Sequence, residues 1–272
     1  MTGETVERVR VAGVEVRWRR AGSGPAVMLL HGMGASLYSF RHQIPALAAR
    51  FTVHAFDWPG YGWAEQPPDF DYSVGGYRRF LVAARDHFGI ERAHLVGNSM
   101  GGLVALFTAL ENPERVGRVV LIGTPVYPAD RPGLLWPLRW PVLGRLYERA
   151  IGPWAVPLIA RSCFVDKSVI TPEMIEEYSR AFRTGAGGRV VATFLRRMPP
   201  DPDSYTRRYP TLPQPTLVLR GSEDAVVRAA SAERFAREHP HARLVTLPGL
   251  GHAPHEERPE AVNRLLLEFL SA

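Results

Sequence analysis

The stretch 93-AHLVGNSMGGLVALFTAL-110 passes from a β-branched apolar run to a helical one across a single serine set among glycines. Glycine weakens strands and helices alike, so Gly97, Gly101 and Gly102 around Ser99 need a packing reason. A residue that ends a buried strand and also opens a helix sits on a sharp turn. That turn brings the two backbones together, and only small neighbours permit the approach. It also exposes the serine at the carboxyl end of the sheet, where open α/β sheets place their ligand crevices. The serine oxygen then faces a helix start, whose free amides favour negative charge. Gly-x-Ser-x-Gly at 97–101 therefore predicts a strand-to-helix elbow carrying a nucleophile at Ser99. Taken alone, the serine also reads as an ordinary helix N-cap.

Outward from the elbow, short runs rich in Val and Leu alternate with helical stretches, the pattern of a parallel sheet with crossover helices. Central strands buried on both faces are predicted at 26–30, 51–57, 93–97, 116–123, 215–221 and 242–249. Helices are predicted at 39–49, 74–88, 99–111, 229–238 and 258–270. Two alternating strands around Ala12-Gly13 precede them as an edge hairpin. The alternation stops between Thr124 and Thr211, in a region rich in proline and tryptophan with helical candidates such as 171-TPEMIEEYSRAFRTG-185. There Thr171 can cap and Pro172 fits the first turn. The expected organisation is an α/β core over 1–124 and 211–272, a mostly parallel doubly wound sheet, with a helical lid (cap) over 125–210 inserted after the sixth strand.

Hydrophobic content of 46% and charged content of 22% suit a globular chain, and no apolar run approaches the ~18 residues of a membrane span. The N-terminus lacks a basic start followed by an apolar segment, so a cytoplasmic location is expected and no membrane partner. Cys163 is the single cysteine and reads as a small buried hydrophobe. Residues 125–210 hold 13 Lys+Arg against 8 Asp+Glu, so the net charge of +6 is concentrated in the insertion. The arginines are scattered and no nucleic-acid motif accompanies them, which favours solvated helix faces and no nucleic-acid partner.

The order serine elbow, acid, histidine, with 29-LLHGMGAS-36 upstream, resembles the α/β-hydrolase superfamily over about residues 5–270. A serine hydroxyl is a weak nucleophile and needs a base. The resemblance supplies His252, in Gly251-His252 before an acidic, proline-containing helix start, with His255 as the nearest rival. The imidazole needs an acceptor to fix its tautomer. Asp224 matches the family's glycine-x-x-aspartate pattern from Gly221, whereas Glu223 is expected in solvent. The backbone N–H groups of Met33 and Met100 correspond to the family's oxyanion hole, and His31 to a brace of that loop. The Pro-Gly-x-Gly turn after Asp57 is expected to be structural, with Trp58 and Trp63 at the pocket rim.

The triad implies acyl transfer: carboxylic ester or lactone hydrolysis of a small-molecule substrate, by a monomer or homodimer. The elbow 97-GNSMGG-102 is also similar to that of carbon-carbon hydrolases of ring-fission products. Those enzymes usually have tryptophan after the catalytic histidine and Gly-Pro-Gly in the oxyanion loop, where this chain has Ala253 and 31-HGMGAS-36. Thioester hydrolysis, other acyl transfer and a hydrolase-like ligand receptor remain as alternatives. Family members that open epoxides or remove halides carry aspartate at the elbow, and Ser99 argues against both. Trp136, Trp140, Trp154 and Phe164, with Leu134 and Leu135, are candidates for an apolar substrate pocket. Histidine and carboxylate spacing suggests no metal site, and no glycine pattern suits a phosphate or dinucleotide, so no cofactor is expected.

Overall fold

The apolar runs form one eight-stranded sheet in a computed structural model that describes residues 5–127, 140–198 and 205–272. Strands β1 (Thr5–Val11) and β2 (Val14–Ala21) make the edge hairpin. Ala12 and Gly13 both have positive φ, 48° and 82°, the geometry that matches strand twist in a two-residue turn. Next come β3 (Ala26–Leu30), helix α1 (Gln43–Ala48), β4 (Thr52–Phe56), α2 (Val74–His87), β5 (Ala93–Asn98), α3 (Met100–Glu111) and β6 (Val116–Ile122). Between β6 and the next strand the described residues contain helices α4 (Pro141–Ala150), α5 (Ala155–Cys163), α6 (Pro172–Ser179) and α7 (Gly187–Arg196), and no strand. Thr171 caps α6 as predicted, its hydroxyl accepting from the Met174 N–H at 3.1 Å. Then follow β7 (Thr216–Gly221), α8 (Ala229–Glu238), β8 (Ala242–Leu247), α9 (Pro254–Glu257) and α10 (Pro259–Ser271).

The sheet order is β1-β2-β4-β3-β5-β6-β7-β8, with β2 antiparallel to both its neighbours and every other pair parallel. Side chains alternate between two core layers, as a strand's period of two requires. Met28, Leu30, Leu95, Val119, Leu121 and Val218 pack on the face that carries α2 and α3. Val27, Leu29, Val96, Val120, Ile122, Leu217 and Leu219 pack with Ile44 and Leu47 of α1 and with Val262 and Leu266 of α10. One prediction needs correction: β8 is an edge strand paired only with β7, and its residues are half-buried or exposed. Its apolar run 244-LVTL-247 covers one edge of the sheet and is not a central strand.

The glycines around Ser99 are explained by contact. A Cβ on Gly97 would lie 2.4 Å from backbone atoms of Gly101 and Gly102, and one on Gly101 would lie 2.0 Å from the Leu30 carbonyl oxygen. A Cβ on Gly102 would lie 2.0 Å from Thr124 Oγ1, which gives the second glycine of the elbow a packing role of its own. Gly101→Ala is expected to lower stability by about 3 kcal/mol or more, because a helix and a strand must separate to admit one methyl. Urea unfolding of the variant beside the parent measures this.

Candidate active site

Ser99 stands between β5 and α3 with φ 51° and ψ −116°, a backbone conformation that side-chain-bearing residues rarely adopt. Its N–H donates to the Ile122 carbonyl at 2.8 Å, fastening the elbow to the end of β6. Asn98 next to it donates through Nδ2 to the same carbonyl at 3.1 Å and to the His252 carbonyl at 3.4 Å. The elbow and the histidine loop thereby share one anchor. Met100 opens α3, so its N–H has no acceptor within the helix. The loop after β3 lies alongside: a Cβ on Gly32 would sit 3.4 Å from Ser99 Cβ. Met33 follows Gly32 in that loop and is half-buried, and Met100 directly follows the serine.

His252 Nδ1 lies 3.0 Å from Asp224 Oδ2 and 3.1 Å from Oδ1, both side chains being almost wholly buried. A carboxylate only accepts, so Nδ1 carries the proton and Nε2 is left with a lone pair. Asp224 Oδ1 also accepts from the N–H groups of Val226 and Val227 at 2.8 and 3.0 Å. Burial opposes ionisation of Asp224, but the bond from His252 and the two amides outweigh it, holding the carboxyl below its usual range. Glu223 points to solvent, as expected. The arrangement is a buried carboxylate orienting an imidazole, in a loop whose His252 carbonyl is bonded to Asn98, the neighbour of a strained serine; an imidazole so oriented has the chemistry of a general base.

His31 and His255 have other surroundings. His31 Nε2 accepts the Trp58 N–H at 3.0 Å, so Nδ1 carries the proton donated to the Gly32 carbonyl at 2.8 Å. Burial, assisted by the Arg17 charge, pushes its pKa down to about 4. Trp58 is wholly buried and donates its indole N–H to the His31 carbonyl, so it belongs to the core and not to a pocket rim. His255 is buried against Phe40, ring centroids 5.0 Å apart, and burial with nearby Arg41 pushes it down to about 3. His54, His94 and His239 are each lowered to about 4, chiefly by burial. These neutral histidines set a pH dependence of stability. Below the ordinary pKa of 6.5 the unfolded chain binds protons that the folded chain refuses, so stability is lost as pH falls from 6.5 toward 4. His31 alone is expected to contribute a loss of about 2 kcal/mol by about pH 5, read as a falling Tm with proton uptake on unfolding.

Residues that the motif reading did not single out tie the insertion to this site. Glu257 accepts three backbone N–H groups: Gly251 at 2.6 Å, Val165 at 2.8 Å and Asp166 at 2.9 Å. The His252 N–H donates to the Cys163 carbonyl at 2.7 Å. Glu256, wholly buried, accepts from the Tyr178 hydroxyl of α6 at 2.9 Å and from Arg41 at 2.6 Å. Burial outweighs Arg41 and raises its pKa to about 7. On the far side Arg17 joins Asp57 at 2.9 Å to Glu177 at 2.7 Å, while Trp63 N–H groups reach the same two carboxylates. The Cys163 thiol is pushed up to about 11 by burial, so the residue serves through its carbonyl.

The pocket candidates divide. Phe164 is buried in the core, but Trp140 and Trp154 are 58% and 62% exposed, and Trp136 lies outside the described residues. Their helices turn other residues inward, Gly144 from α4 and Val156 and Ala160 from α5.

Residues 25–259 match the sequence profile of the α/β-hydrolase fold family. The chain belongs to that family. Relatives of this α/β hydrolase include an uncharacterized hydrolase of Bacillus subtilis, 28% identical over 97% of both chains. A second relative is the 2-hydroxy-6-oxo-6-phenylhexa-2,4-dienoate hydrolase of Burkholderia cepacia, 31% identical over 98% of this chain and 95% of that one. Among solved structures, a bacterial membrane phospholipase A superposes with a TM-score of 0.84 at 28% identity, covering 99% of this chain and 86% of that one. Hydrolysis is the reaction class these relatives support.

Proposed function

We propose that this α/β hydrolase cleaves carboxylic esters or lactones through an acyl-enzyme on Ser99. The observation that carries the reading is the 3.0 Å contact between His252 Nδ1 and Asp224, which leaves Nε2 free to act as base for a strained serine on the same sheet end. In the proposed cycle Ser99 Oγ bonds to the ester carbonyl carbon as its proton passes to His252 Nε2. The oxyanion is held by the N–H groups of Met33 and Met100. Collapse breaks the carbon-oxygen bond, and His252 gives the proton to the leaving alcohol. Water then attacks the acyl-enzyme by the same proton route and releases the acid. The described helices between residues 140 and 198 act as a cap over the site, pinned through Glu256, Glu257 and Glu177.

A second reading is carbon-carbon hydrolysis of a ring-fission dienoate, favoured by the 31% identity to the Burkholderia cepacia enzyme and opposed by Ala253 after His252. Steady-state hydrolysis of p-nitrophenyl esters of rising acyl length, beside 2-hydroxy-6-oxo-6-phenylhexa-2,4-dienoate, separates the two. Ester turnover exceeding dienoate turnover by about a hundredfold in kcat/KM, a difference of about 2.7 kcal/mol in transition-state binding, is the expected result. The opposite ratio makes the chain a carbon-carbon hydrolase.

A further inference from the structure

Of the eight large apolar side chains that stand exposed among the described residues, seven lie between residues 140 and 165. Val142 and Leu146 follow Trp140 one turn apart on α4, and Leu158 and Ile159 follow Trp154 by one turn on α5. The Trp154 indole donates to the Ala150 carbonyl at 2.9 Å, so its ring lies at the corner between the two helices. The exposed charges on this segment are Arg145, Arg149 and Arg161. Its one carboxylate, Glu148, is half-buried and paired with Arg196.

We infer that the α4–α5 corner of the insertion docks on an anionic lipid surface. Tryptophan and aliphatic side chains flanked by arginine, with no exposed carboxylate within α4 or α5 and Asp166 only beyond them, are the composition of a helix lying at a membrane interface. The rings and aliphatic groups enter the headgroup boundary, and the three arginines meet lipid phosphates. A second copy of the chain fits less well, because a two-fold contact between the α4 and α5 faces would bring the same arginines together with no exposed acid on either helix. No helix among the described residues is long and apolar enough to cross a membrane, so the attachment is peripheral. The inference does not depend on which bond the site cleaves.

Flotation with vesicles of phosphatidylcholine, alone or mixed with phosphatidylglycerol, tests it. The parent is expected to float with the mixed vesicles, less with the neutral ones, and to be released by salt. Leu158→Glu with Ile159→Glu, and separately Arg145→Glu with Arg149→Glu and Arg161→Glu, should each weaken binding by about tenfold or more, while Val6→Glu, an exposed apolar site elsewhere, leaves it unchanged. Thermal unfolding checks that each variant is folded, and binding is read without turnover, so an inactive chain that floats still supports the inference. Failure of the parent to float, equal loss in Val6→Glu, or a parent dimer that the Leu158/Ile159 variant converts to monomer would overturn it.

Discussion

Ser99→Ala is expected to lower kcat for a short p-nitrophenyl ester by about 10⁵-fold or more, with thermal unfolding close to that of the parent. The size follows from the role: without Oγ no acyl-enzyme forms, and what remains is the oxyanion donors acting on water. The fold should persist because the strain at φ 51° belongs to the backbone, and alanine meets the same strain as serine. The close packing beneath the elbow is made by Gly97, Gly101 and Gly102, which the substitution does not touch. Retained turnover in a folded Ser99→Ala variant would remove the nucleophile assignment.

Asp224→Asn is expected to lower kcat by about 10⁴-fold, and the local geometry says why. Oδ1 is held as an acceptor by the N–H groups of Val226 and Val227, so the new amide nitrogen must take the Oδ2 place opposite His252 Nδ1. It then presents a donor to Nδ1, which drives the imidazole proton to Nε2. The histidine has lost the lone pair that takes the serine proton. A loss under about tenfold would mean that Asp224 does not orient His252 during the reaction.

The parts of the molecule that could be read before folding are those whose signal is local. The elbow is one, because the Gly97 contact is made within a few residues, although Gly101 and Gly102 also answer Leu30 and Thr124 on the neighbouring strands' ends. The runs at 26–30 and 93–97 are others, since burial on both faces leaves a continuous apolar string. β8 misled because an edge strand that packs partly on helix α10 carries a similar string while half of its surface faces outward. The roles of Glu257 and Glu256 were out of reach for a different reason. Glu257 meets Val165 and Asp166 across about ninety residues, and nothing in 253-APHEERPE-260 distinguishes a buried carboxylate from a solvated helix start. Trp140 and Trp154 show the converse, because an aromatic on an amphipathic helix reads as buried until the inward face is known to be Val156 and Ala160.

The most direct test of the central claim is covalent labelling with a fluorophosphonate, read by intact mass and by peptide mapping while ester hydrolysis is followed in the same sample. The account predicts a single adduct on Ser99, rising in step with loss of activity, and no adduct in Ser99→Ala. An active enzyme that stays unlabelled, or that is inactivated by an adduct on any other residue, would contradict it.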